Sequence, residues 1–120
     1  QARNIGQWFK ARDLRPAKVL SSPWCRCIDT ATLAFGPPQL VPALGSPCGK
    51  PETTSANDQQ TLRAALAAAT QRSGQFEVWV THMFVLSDLA DANTPSGEAL
   101  VLRAGRHGNV EVVTRWQLPA

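Results

Sequence analysis

Residues 18–31 read KVLSSPWCRCIDTA: a short apolar run, two serines, a proline, then an arginine between two cysteines. The run AKVLSS, residues 17–22, reads as a short buried strand. Ser21-Ser22-Pro23 then signals a helix start, with a serine as cap and Pro23 in the first helical position. Ile28, Ala31, Thr32 and Phe35 continue at helical spacing until Gly36-Pro37-Pro38 stops the helix. A strand feeding a helix in this way leaves backbone N–H groups unpaired, in a region of positive potential. Arg26 falls in the first turn, where a side chain leans back toward the N-terminus. Its guanidinium can therefore grip a phosphate with two hydrogen bonds. The same residues also suit a plain cap with a surface arginine, or a cysteine pair with a metal or redox role.

The flanking sequence supplies the setting. With 120 residues, 43% of them hydrophobic and 18% charged, the chain has the composition of one globular domain spanning 1–120. A net charge of +3, with Lys10, Arg12, Arg15 and Lys18 near one another, makes no basic run of the kind that binds nucleic acid or a membrane. No apolar run approaches the roughly 20 residues that span a bilayer. Cys25, Cys27 and Cys48 are an odd number and cannot all pair within the chain. Their spacing is not the C-x-x-C of zinc or thioredoxin-like sites, so no metal or cofactor is expected and a structural or disulfide role is favoured.

Ala2, Ile5, Trp8 and Phe9 mark a first helix over about 2–12, with no capping residue ahead of it. Five prolines between Pro37 and Pro51 make 36–56 loop-like, with a short strand at QLVPAL. DQQTLRAALAAATQR is the clearest helix, with Asp58 as its cap and Leu62, Ala65, Leu66 and Ala69 on one face. FEVWVTH reads as a strand and MFVLSDLAD as a helix. EALVLRA and VEVVTRW alternate across Gly105-Arg106-His107-Gly108, which reads as a hairpin tip. The order predicts an α/β fold: three layers, α/β/α, with a mixed, mostly parallel sheet and a C-terminal β-hairpin.

Ligands of open α/β sheets collect where parallel strands end and helices begin. His82 ends a strand and opens a helix in the place that corresponds to Ser22 and Arg26. It reads as a capping or core histidine when taken alone. Arg26 and His82 together make a pair suited to phosphoryl charge. Glu52 in the long loop is a candidate general acid, with Glu98 a second and more structural carboxylate. Asp29 reads as a helix-surface charge. Trp8, Trp79 and Trp116 read as core, whereas Trp24 stands beside the expected pocket.

In this order, SSPWCRCIDTA, VTH at a strand end and PSGEALVL before a terminal hairpin resemble the histidine phosphatase superfamily, which has the phosphoglycerate mutase fold. The resemblance covers nearly the whole chain. It implies a phosphomonoester hydrolase with a phosphohistidine intermediate, in which Arg26, Ser22 and His82 bind phosphate and His82 and Arg26 are catalytic. The nucleophile implied is a histidine in an Arg-His-Gly motif on a first central strand. That strand is expected upstream of Gln1, so the chain as given is expected to be inactive or nearly so. The hairpin-tip Arg106-His107-Gly108 has the wrong context for it, since a turn tip rarely holds a nucleophile rigidly. Expected substrates are a phosphorylated small molecule or a phosphoprotein. Strand exchange in a homodimer is one way to cover the edges left bare. The WCRC segment is similar to small bacterial, exported members, which points to the periplasm with the cytoplasm as alternative. The competing readings are a non-catalytic phosphate- or ligand-binding module of the same fold, and a scaffold domain with no anion site.

Overall fold

Three short parallel strands carry the site. The computed structural model describes residues 1–45, 55–95 and 97–117. Along the chain come α1 (Ala2–Ala11), β1 (Lys18–Ser21), α2 (Cys25–Phe35), β2 (Gln39–Leu40) and a 3-10 turn at Pro42–Leu44. Then follow α3 (Ala56–Thr70), β3 (Glu77–Val80), α4 (Met83–Ala90), β4 (Glu98–Ala104) and β5 (Val110–Gln117). β1 lies between β2 and β3 and pairs with both in parallel, in register Lys18↔Glu77 through Ser21↔Val80.

Helices cover both faces of this sheet. α1 and α2 pack together on one side, where Ile5, Cys27, Ala31 and Ala34 are buried. Gly6 makes that approach possible, because a Cβ there would run into the backbone carbonyl of Ala34. The spacing of Ile28, Ala31, Thr32 and Phe35 put the inner face of α2 slightly off. The buried stripe is 27, 31 and 34, while Thr32 is exposed. The other side is the main core, in which Leu20, Leu44, Leu62, Val85 and Leu89 cluster with Trp79 and Phe84 against them. Each of the nearly inaccessible Leu44, Leu62 and Val85 contributes about 1.5–3 kcal/mol by leaving water. The cap of α3 is Ser55 rather than Asp58. Ser55 Oγ accepts from Asp58 N at 3.0 Å, which puts Asp58 inside the first turn, where its charge favours the helix dipole.

β4 and β5 pair antiparallel from Glu98↔Gln117 to Ala104↔Val110, with a bulge at Val101/Leu102. The expected turn at 105–109 is present, closed by Gly105 N donating to Asn109 O at 2.8 Å, with His107 exposed. Leu102 and Val110 rest on the core, and Trp116 meets Trp8 of α1 at 4.2 Å between ring centroids. Glu98 accepts from Arg115 at 2.9 Å, which makes it a hairpin residue. Parallel and antiparallel strands form two ladders instead of one continuous sheet. Among the described residues no strand pairs with the outer edge of β3 or that of β4. No described helix is long and apolar enough to cross a membrane.

Candidate functional site

The pairing register brings the site together. Ser22 N donates to Val80 O at 2.9 Å, extending the β1–β3 ladder one residue past the strands. Ser22 and the Thr81-His82 pair therefore leave the sheet at the same level. His82, in extended backbone conformation, is the N-cap of α4. Trp24 holds the same position for α2. This corrects the expected serine cap with Pro23 in the first helical position: Pro23 precedes the cap, and the helix starts at Cys25. The cause is that both serines are fully buried at the strand end, Ser22 with its backbone in the ladder. Ser22 still accepts from Trp24 N at 3.2 Å, a capping-like bond made from two residues before the cap.

His82 is buried and held on every side. Its Nε2 lies 2.9 Å from Ser22 Oγ, and its Nδ1 lies 3.4 Å from Arg26 Nη2. Phe84 stacks flat on the ring at 5.1 Å, inclined by 8°, while Trp24 tilts against it at 4.4 Å. Cys27 Sγ sits 3.6 Å from Nε2 and 3.7 Å from Thr81 O. The guanidinium of Arg26, on the exposed side of α2, lies 5.0 Å over the Trp24 ring. Arg26 and His82, named from different parts of the sequence, thus meet at one rim of the sheet.

Burial pushes the Cys27 thiol above its ordinary value of 9.0, against smaller downward pulls from the Ser22 hydroxyl and the Arg26 charge. Cys27 is therefore a neutral thiol and a packing surface for the imidazole, not a nucleophile. Among the described residues no group of three His, Cys, Asp or Glu side chains could hold a metal ion. Glu52 and Cys48 lie outside the described residues. Asp29 is exposed on α2.

Three residues of the site have no place in it from sequence: Cys27, expected only in a structural or disulfide role, and Phe84 border the ring, and Gly45 borders Ser22 and Trp24. Cys27 was legible in principle, through its i, i+4, i+7 spacing with Ala31 and Ala34. Phe84 reads as one more apolar residue of α4. Gly45 gave no signal at all, yet a Cβ there would stand 2.8 Å from Ser22 Oγ and 3.3 Å from the Trp24 indole. The result is a cationic rim, one guanidinium beside one imidazole above a helix N-terminus, with donors suited to a tetrahedral oxyanion.

No family model matches the sequence, and no curated protein matches it. Among solved structures, the chain is similar to the protein histidine phosphatase SixA in its complex with tungstate, with a TM-score of 0.70 and 18% identity. That likeness covers 98% of this chain and 78% of that one. At this identity it shows the fold: a mixed α/β architecture with a parallel three-stranded sheet and a C-terminal antiparallel hairpin, shared with a histidine phosphatase.

Proposed function

We propose that this chain is the greater part of the catalytic domain of a phosphomonoester hydrolase of the phosphohistidine type. The observation that carries the reading is the 3.4 Å approach of Arg26 Nη2 and His82 Nδ1 at two strand ends paired in register. In this reading Arg26 grips the phosphoryl oxygens and His82, once protonated, donates to them as charge develops. The nucleophile is a second histidine, on a strand encoded upstream of Gln1. What supports a strand in that place is that, among the described residues, none pairs with the outer edge of β3 or that of β4. Attack by its ring nitrogen forms the N–P bond and breaks the ester P–O bond. A general acid, assigned to Glu52, gives the leaving oxygen its proton. Water then cleaves the N–P bond and releases phosphate. The substrate is a phosphorylated small molecule or a phosphoprotein, the latter in keeping with the likeness to a protein histidine phosphatase.

The test is the chain extended upstream through the expected Arg-His-Gly strand. It hydrolyses an aryl phosphate and accumulates acid-labile phosphate on a histidine, and Arg26→Met abolishes both. Absence of turnover in the extended, folded chain overturns the reading. One observation favours a second reading, a phosphate-binding module without chemistry. Of the chain's two histidines, only His82 reaches the site, and His107 is exposed at the hairpin tip. Tungstate or phosphate binding by the extended chain without turnover would establish that reading instead.

A further inference from the structure

We infer that Trp24 is a positioning residue: the face of its indole holds the Arg26 guanidinium at the rim in every charge state of His82. The inference deepens the proposed phosphate reading and rests on it for its consequence, while the placement itself is read without any anion. Arg26 stands on the exposed side of α2, second residue of the helix. Among the described residues no carboxylate pairs with it, since the ion pairs belong to Arg15, Arg72, Arg103 and Arg115. An exposed arginine without such a partner gives up much side-chain freedom when it is fixed. Two contacts locate its guanidinium: Nη2 is 3.4 Å from His82 Nδ1, and Cζ lies 5.0 Å from the centre of the Trp24 ring it covers. The first is long for a hydrogen bond. It also disappears in the proposed reaction, because both nitrogens of a protonated His82 donate, and Nδ1 then faces a donor of like charge. The second keeps its sign throughout, because a ring face attracts a cation and a planar guanidinium stacks on it.

The indole itself is firmly seated. Trp24 is the N-cap of α2, with its N–H donating to Ser22 Oγ at 3.2 Å and its carbonyl accepting from Cys27 N and Ile28 N at 3.0 and 3.1 Å. Its ring tilts against His82 at 4.4 Å and reaches Phe84 at 6.2 Å. Gly45 leaves room for its pyrrole edge, since a Cβ there would stand 3.3 Å from both Cδ1 and Nε1. The end of β1, the start of α2, the 3-10 turn and the start of α4 thus converge on the ring that carries the arginine. A ring that only filled space would do so equally well at any π density, which separates packing from positioning.

Trp24→Leu removes the ring but also its packing, so the test keeps the shape and changes the charge. Tryptophans carrying one, two or three fluorines, placed at position 24 alone, withdraw electron density from the ring face. The nitrogen-15 order parameter of the Arg26 Nε–H group, in the chain without anion, is expected to be high in the parent and to fall stepwise along the series, with Tm unchanged. Arg12, 4.0 Å over the unmodified Trp8, serves as internal reference and keeps its value. Tungstate affinity falls in the same order, by about two- to fivefold at three fluorines. A mobile Arg26 guanidinium in the parent, or an order parameter indifferent to fluorination, overturns the inference. Tungstate bound with an affinity indifferent to fluorination also overturns it, and leaves the phosphate reading intact. If Arg26 loosens along the series while the parent binds no tungstate, the placement by Trp24 stands and the phosphate reading falls.

Discussion

Gly45→Ala tests the site without replacing any of its polar groups. Gly45 has φ −123° and ψ 177°, a backbone that alanine adopts without strain. The substitution should therefore stabilise by about 0.4–1 kcal/mol through the unfolded chain if nothing else intervened. Its new methyl, however, would sit 2.8 Å from Ser22 Oγ, about 0.6 Å inside the 3.4 Å at which ordinary contact begins. Neither side can easily retreat. Ser22 is fully buried with its N–H in the β1–β3 ladder, and the segment before Gly45 is tied down by Thr81 Oγ1 donating to Leu44 O at 2.6 Å. Overpacking of this kind costs about 1–3 kcal/mol, so the net change is a loss of about 1–2 kcal/mol. For a domain of this size that lowers Tm by roughly 4–8 °C. Moving Ser22 Oγ by the same distance would stretch its 2.9 Å contact with His82 to the limit of hydrogen bonding. Thermal unfolding by circular dichroism, with tungstate titration followed by Trp24 fluorescence, reads both effects. A variant as stable as the parent, with unchanged anion affinity, would refute the claim that Gly45 is the close wall of the site.

Other substitutions separate charge, burial and packing. Arg26→Met removes a charge-assisted donor pair and should weaken tungstate binding by roughly 10–100-fold with little change in Tm, as measured by calorimetry and melting. Since burial raises the Cys27 pKa, the folded state holds that proton more tightly than the unfolded state. Its contribution is thus intact below pH 9.0 and lost as pH rises beyond it, so urea titrations between pH 8 and 10 should fall less steeply for Cys27→Ala. Exposed Cys25 should react with a thiol reagent well before Cys27, and equal rates would mean that the ring's neighbour is open to solvent. Gly6→Ala should destabilise by about 1–2 kcal/mol in chemical denaturation, because a gain of about 1 kcal/mol in helix propensity is set against overpacking onto the Ala34 backbone.

Local rules carried the reading of the fold a long way. The alternating hairpin, the long α3 and the two strand-to-helix hand-overs were legible because each is signalled by its own residues. Placement of Arg26 near His82 was legible through topology, since parallel strands deliver their following helices to one rim. Caps were less legible. Ser22 and Asp58 both have the chemistry of an N-cap, but tertiary contacts took Ser22 into the sheet ladder and Ser55 did the capping of α3. The inner face of α2 shifted by one residue because the packing of α1 at Gly6 and Ala34 decides it, and no local pattern records a contact made across helices. Gly45 was illegible for the same reason: its meaning lies in Ser22 and Trp24, more than 20 positions away in the chain.

The in-step pairing of β1 and β3 makes the Ser22–His82 contact a gauge of strand alignment. Sliding one strand past the other by a single residue would carry the imidazole about 3.3 Å along the axis and turn it to the opposite surface. On the phosphate-site reading proposed above, every misaligned form of the centre would therefore fail to bind an anion, however native its helices. Recovery of tungstate binding during refolding would time the moment when these two strands find their true partners, separately from the moment when the helices form.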